Sequence, residues 1–295
     1  MARILILGAG GRLAAALARE WSAQHAVETA KRSDVDVSDA EALQRFLETR
    51  AFDVLVNGTG MTNVDGCESE RELAEAVNAR APQIMAQRAS AVGARLIHFS
   101  TDYVFAGDEP KELTEDDIPN PLGWYGRTKL DGEQRVLDTD PSHLVVRVSW
   151  VFGRDKPAFI DMLIDRARTQ DSVAAVADKY SSPTHTADAA GWLEPFFDRS
   201  RPGGIYHACN QGGCSWREFG EFALEAAAAV GVPVRTTRVE PIRLADMKQF
   251  LAPRPVHTIL RTDKLTRTTG LTPRPWTEAV RDYISEKYAS ISPAA

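Results

Sequence analysis

Thr101, Tyr125 and Lys129 are the residues of this chain whose types and spacing suggest a reaction. Tyr125 and Lys129 stand four apart, which on a helix stacks them on one face. A phenol with an unperturbed pKa of about 10 is a weak acid at neutral pH, and a neighbouring ammonium favours its ionised form and brings the proton closer to transfer. A hydroxyl from Thr101 can hydrogen-bond the same carbonyl oxygen that Tyr125 protonates, so charge developing there as a hydride arrives meets two donors. The chemistry is carbonyl reduction. By itself the pair is a weak signal, because Tyr-x-x-x-Lys often arises by chance as an exposed aromatic beside a solvated lysine.

The stretch from His98 to Lys129 begins as a strand and ends as the first turns of a helix, so it carries Ser100, Thr101 and Asp102 toward Tyr125 and Lys129. Upstream, residues 3–7 form the short apolar run of a strand buried on both faces, followed by Gly8-Ala9-Gly10-Gly11 and helical periodicity over residues 13–21. Strand, glycines, helix is the order a dinucleotide pyrophosphate needs, because glycine allows close backbone approach and the helix N-terminus offers unpaired N–H groups. Gly8, Gly10 and Gly11, with Arg12 and Leu13 opening the helix, are the expected contacts.

A second strand, residues 26–30, ends at Lys31-Arg32. An acid there would hold ribose hydroxyls and exclude a 2′-phosphate, whereas basic residues attract the phosphate. NADPH is therefore the expected cofactor, with NADH left open; the plainer reading makes Lys31 and Arg32 a solvated loop. Asp36 and Val37 stand where an adenine would rest. Ser38 and Glu41 read as N-cap and capping-box partner of a helix over 40–48. A buried strand over 52–57 ends at Asn57, and Gly58-Thr59-Gly60 would let the cofactor lie close. Helices over 71–92 and 125–137 then alternate with strands over 95–100 and 144–149, the pattern of an α/β, Rossmann-type doubly wound parallel sheet.

A chain of 295 residues is long for a single compact domain, so one domain with a sizeable annex, or two domains, is expected. The expected division is a cofactor domain over 1–153, to which 185–210 return, and a smaller substrate-binding lobe over 154–184 and 211–295. That lobe reads as helices over 159–168, 216–230 (N-cap Ser215) and 277–288, strands over 172–176 and 234–239, and a loop over 178–184 at the site's mouth. A net charge of −6 argues against nucleic-acid binding through a basic face. Cys67, Cys209 and Cys214 make neither a disulfide framework nor a C-x-x-C metal pair, and no export signal or stretch of about 20 apolar residues is present. A cytoplasmic protein without membrane contact is expected. No metal is expected either: His185 and His207 read as structural histidines, and the acidic run 112–117 as a solvated loop.

Several segments together carry a resemblance: Gly8-Ala-Gly-Gly11, Asp36-Val37, Asn57, Asn78, His98-Phe-Ser-Thr-Asp-Tyr-Val-Phe105, Tyr125-Gly-Arg-Thr-Lys129, Arg147-Val-Ser-Trp150, Asp178-Lys-Tyr-Ser-Ser-Pro-Thr184 and Arg254-Pro255. They resemble the extended short-chain dehydrogenase/reductase superfamily and, within it, the dTDP-4-dehydrorhamnose reductase family, over nearly the whole chain. The resemblance implies hydride transfer from NAD(P)H to the C4 ketone of a nucleotide-linked 6-deoxyhexose, giving dTDP-L-rhamnose in the best-known case. It implies Tyr125 as proton donor, Thr101 and Lys129 as its catalytic partners, and Lys129 at the nicotinamide ribose. Val64, Ser100, Thr101, Asp102, Trp150, Tyr180 and Arg254 would meet the substrate, Arg254 by forking onto the diphosphate rather than pairing with an acid such as Asp246. Two other readings stay open: a 4-ketoreductase of another nucleotide sugar, and an NADP-binding regulatory subunit, since the β subunit of methionine adenosyltransferase resembles the same family. Homodimerisation is also left open.

Overall fold

The structure, a computed structural model, describes residues 1–288. β1 (Arg3–Leu7), β2 (Ala26–Ala30), β3 (Val54–Asn57), β4 (Arg95–Thr101) and β5 (Leu144–Val148) join the strand Gly204–His207 in one six-stranded sheet. Across it the order is Gly204–His207, β5, β4, β3, β1, β2, and every neighbouring pair is parallel. β3, β4 and β5 are buried along their whole length, which is why apolar residues run through them without alternation. Arg95, at the start of β4, is one of several buried polar residues in these strands. Its guanidinium donates to the carbonyls of Phe196 (2.9 Å) and Arg201 (2.8 Å), replacing the water it loses.

Helices cover both faces of the sheet. α1 (Arg12–Trp21) packs on the helix Thr186–Leu193, where Trp21 Nε1 donates to the Ala190 carbonyl at 3.1 Å, over a core that includes Ile4, Ile6, Val56 and Ile97. α2 (Ala40–Glu48) and the helix Ala81–Ala91 close the other face over Leu5, Leu7, Leu55 and Leu96. Successive residues of one strand thus feed opposite cores. A further core gathers the helices Phe159–Ala167, Trp216–Ala229 and Trp276–Tyr288 and the parallel strands Val173–Val176 and Val239–Ile242 around Leu163, Phe219 and Ile284. Among the described residues no helix is long and apolar enough to cross a membrane.

Some local expectations move. Asp39, not Ser38, caps α2, accepting from Ala42 N at 3.0 Å, because the Ser38 hydroxyl donates to Asp36 at 2.7 Å. The strand expected over 234–239 begins at Val239, where pairing with Val173 starts; before it the Thr236 hydroxyl accepts from Arg238 N and turns the chain. The 178–184 segment is not merely a loop, since Tyr180–Ser181 pairs with both Cys214–Ser215 and His257–Thr258. The helix expected over 71–92 contains a π-helical turn, Ala76–Arg80, between Arg71–Glu75 and Ala81–Ala91. A short helix unseen in the sequence, α3 (Val64–Ser69), is capped by Asn63, which accepts from Gly66 N at 3.0 Å.

Candidate active site

β1 has β2 on one side and β3 on the other, so a crevice opens beyond their carboxyl ends, where the strand order switches. Two glycine turns meet there. Gly8 has φ +81°, and a Cβ on it would lie 2.6 Å from the Gly58 carbonyl; a Cβ on Gly58 would lie 2.7 Å from that of Ala14. Gly11 caps α1 without any side-chain partner, which leaves the first-turn N–H groups facing the crevice. A groove of about 580 Å³ runs from these turns to the end of β2 and is lined by Gly8, Gly10, Gly11, Lys31, Arg32, Asp36 and Val37, among others. It shares Gly11, Gly58, Thr59 and Gly60 with a cavity of about 410 Å³ that continues to β4. Leu13, Val64, Ser100, Thr101, Asp102, Tyr125, Lys129 and Trp150 line that cavity. Backbone without Cβ at the middle, cations at one end and unpartnered donors at the other fit an extended nicotinamide dinucleotide.

The catalytic candidates converge, though not as the sequence suggests. Lys129 is buried, and its ammonium donates to the Phe99 carbonyl at 2.5 Å. Burial brings its pKa down to about 8 against the opposing field of Glu133. Tyr125 is also buried, and burial pushes its phenol up; a hydrogen bond with Thr101 is what favours its ionised form. The Lys129 ammonium, which the helical spacing places to tune Tyr125, is held by the Phe99 carbonyl, and burial is the largest influence on the phenol. Desolvation disfavours the phenolate more than its neighbours favour it, and the ammonium is spent on a backbone carbonyl.

Asp102 is a joint rather than an open contact. Its carboxylate receives hydrogen bonds from Thr101 (3.1 Å), Ser181 (3.0 Å) and Thr258 (2.6 Å), which tie the end of β4 to Tyr180–Ser181 and His257–Thr258. Ser100 Oγ and Trp150 Nε1 are the opposite case: both atoms are buried and lack a partner, in residues that line the cavity. Trp150 also holds φ +40°, a rare conformation for a bulky residue, wedged against Trp216 and Phe219 at ring distances of 5.8 and 6.1 Å. Strain and an unused donor at one residue point to a ligand contact.

Asn57 and Arg12 differ from expectation in what their side chains do. Asn57 is fully buried; its Nδ2 meets His98 Nδ1 at 3.0 Å and its Oδ1 accepts from Thr59 N (3.0 Å) and Oγ1 (2.6 Å). A buried amide spends its groups inside the protein, so Asn57 shapes the Gly58–Gly60 turn from beneath. The Arg12 guanidinium donates to the carbonyls of Val151 (2.8 Å), Lys156 (3.0 Å) and Pro157, leaving only its aliphatic part to the cavity.

Asn78 does a task the sequence assigned to no residue. Its Oδ1 accepts from Met61 N (2.9 Å), and its Nδ2 donates to Met61 O (3.2 Å) and Thr128 Oγ1 (3.1 Å). It thereby fastens the Gly58–Met61 loop to the helix Trp124–Thr139, which bears Tyr125 and Lys129. An asparagine on the apolar face of a long helix was the available signal; the π-turn that aims it inward had none.

Tyr180 and Arg254 line neither the groove nor the cavity. Tyr180 stacks on His257, with centroids 5.3 Å apart. Arg254 forks onto Asp65 at 2.7 and 3.0 Å, donates to the Ala252 carbonyl and lies 3.7 Å over the Phe250 ring. Its side chain pairs with Asp65 rather than Asp246, because α3 presents Asp65 at the distance a fork needs. Arg254→Ala should lower the unfolding free energy by about 2 kcal/mol, the scale of hydrogen bonds to a charged group left unmade. The Asp65 carboxyl, held down to about 2 mainly by Arg254, contributes stability fully above its unfolded value of about 4 and loses it as pH falls through about 2. Urea titrations of parent and variant should therefore converge toward pH 2. A tenfold rise in KM for the nucleotide sugar without loss of stability would instead return Arg254 to the diphosphate.

Among the described residues no group of three or more His, Cys, Asp or Glu side chains could hold a metal ion. In the acidic run, Asp117 pairs with Lys111 at 3.0 Å and Glu115 accepts from His207 N at 2.9 Å.

Residues 2–289 match the family model described as the RmlD substrate binding domain. A dTDP-4-dehydrorhamnose reductase of Mycolicibacterium smegmatis is 39% identical over 96% of this chain and 85% of its own length. A probable dTDP-4,6-dihydroxy-2-methyloxan-3-one 4-ketoreductase of Streptomyces antibioticus is 33% identical over 99% of this chain and 97% of its own. The crystal structure of dTDP-4-dehydrorhamnose reductase from Bacillus anthracis in complex with NADP superposes with a TM-score of 0.89 at 28% identity, covering 97% of this chain and 99% of that one.

Proposed function

This chain belongs to the RmlD substrate binding domain family, and from that premise we propose that it is an NADPH-dependent reductase of a nucleotide-linked 4-keto-6-deoxyhexose, with dTDP-4-dehydrorhamnose as substrate and dTDP-L-rhamnose as product. The observation that carries the reading is the convergence of Thr101, Tyr125 and Lys129 with the unpartnered Ser100 hydroxyl and Trp150 indole in a cavity continuous with the glycine groove. Gly8, Gly10, Gly11, Gly58 and Thr59 would hold the dinucleotide, with Lys31, Arg32, Asp36 and Val37 around its adenosine half. Bound there, NADPH supplies a hydride to the C4 carbonyl. Tyr125 gives its proton to the carbonyl oxygen, Thr101, its hydroxyl turned from Asp102 toward the substrate, steadies the charge gathering on that oxygen, and Lys129 keeps a positive charge close by. Ser100, Trp150 and Val64 orient the sugar, and residues 154–184 and 211–288 form the lobe that carries the nucleotide, the last residues of the expected lobe, 289–295, lying outside the described residues.

The same proposal makes the chain a cytoplasmic enzyme, with homodimerisation to be checked by sedimentation. The Streptomyces antibioticus relative favours a second reading, reduction of a different 4-keto sugar on the same site. Incubation with NADPH and a panel of nucleotide 4-keto-6-deoxy sugars, followed by loss of nicotinamide absorbance, separates the two. Turnover of none of them, with NADPH bound, would favour a regulatory subunit.

Cofactor choice is tested separately. Arg32 is exposed and only loosely paired with Asp36 at 3.4 Å, so its guanidinium is free to turn toward a 2′-phosphate. NADPH should bind more tightly than NADH, and Arg32→Asp should flatten or reverse the preference. Equal dissociation constants for the two cofactors in the parent protein would mean that neither Lys31 nor Arg32 reaches the phosphate.

A further inference from the structure

A dinucleotide brings a pyrophosphate with two negative charges to the glycine turns, and the partial charge of one helix N-terminus offsets only part of them. Five cationic side chains line the joined groove and cavity: Arg12, Lys31, Arg32, Lys129 and Lys156. Lys31 and Arg32 follow β2 at the adenosine end, Lys129 is spent on the Phe99 carbonyl at the other, and the Arg12 guanidinium is spent on three backbone carbonyls. Lys156 is what remains near the centre. It lines the groove with Gly8, Gly10 and Gly11, and its ammonium has no hydrogen-bond or ion-pair partner among the described residues.

Its backbone, by contrast, is firmly placed. The carbonyls of Lys156 and Pro157 accept from Arg12, and the carboxylate of Asp155 takes Arg19 at 2.5 and 2.6 Å. Both arginines belong to α1, the helix whose N-terminus faces the phosphates, so α1 itself mounts the strap that carries the lysine. A fixed backbone with an uncommitted cation above a phosphate cradle is the arrangement a counter-charge requires.

We infer that Lys156 binds the pyrophosphate of the cofactor, with Arg12 and Arg19 as positioning residues that hold its strap against α1. The inference rests on the reading of the groove as a dinucleotide site. Dissociation constants for NADPH, NADH and adenosine 2′-monophosphate are measured by titration, without substrate, on the parent, Lys156→Ala and Lys156→Arg. Lys156→Ala should weaken NADPH and NADH alike by about tenfold, leave adenosine 2′-monophosphate unchanged, and make binding less sensitive to salt. Lys156→Arg should restore most of the loss. A loss confined to NADPH and adenosine 2′-monophosphate would place the lysine on the 2′-phosphate and overturn the assignment, as would unchanged binding of all three. A parent protein that binds neither dinucleotide would overturn the groove's reading as well, which separates the two failures.

Discussion

Tyr125→Phe should reduce turnover at least about a hundredfold, the scale of a lost general acid, while the dissociation constant for NADPH stays nearly unchanged. The ring survives the substitution, and with it the edge contact to Tyr103 at 5.5 Å, so the cavity keeps its shape and loses a proton. Because burial keeps the phenol protonated, Tyr125 is available as an acid throughout the neutral range. Lys129 is the group that titrates there. With its pKa brought down to about 8, kcat/KM, which reports the free enzyme, should fall as pH rises through that value and the ammonium is lost. Near-normal turnover of Tyr125→Phe would remove the residue from the mechanism, and a flat alkaline profile would remove the charge of Lys129.

Breaking the ion pair beneath the site should produce the largest loss of stability. Arg147 on β5 and Glu133 on the helix Trp124–Thr139 are each 1% exposed and meet at 2.6 and 2.9 Å. Glu133→Ala leaves the guanidinium buried with no countercharge, which costs about 3–5 kcal/mol. At about 2–4 °C per kcal/mol for a protein of this size, the melting temperature should drop by roughly 10 °C. Replacing both partners, Glu133→Leu with Arg147→Met, should recover most of that loss, because the desolvation of both charges goes with them. Glu133 stands one turn after Lys129 and holds its pKa up, so Glu133→Gln should also move the alkaline limb of kcat/KM below pH 8. A single variant within about 0.5 kcal/mol of the parent in urea unfolding would show that water reaches the pair.

The sequence by itself determined the order of strands, glycines and helices, because each rests on local chemistry. The apolar runs of β1 and β3, the glycine turn after β1 and Ser215 as the N-cap of the helix Trp216–Ala229 are all legible within a few residues. It also determined that Thr101, Tyr125 and Lys129 share one cavity, since strand, turn and helix carry them within a single continuous stretch. What it left open was decided between segments far apart in the chain. Which acid Arg254 pairs with depended on where α3 puts Asp65, 189 residues earlier. That Asp102 is spent on Ser181 and Thr258 depended on two short strands that only pair in three dimensions. The protonation of Tyr125 and Lys129 was a tertiary matter too: spacing along a helix brings two groups close, but the dielectric around them is set by everything packed on top. Here burial outweighed proximity, and no local pattern records how deeply a side chain will lie.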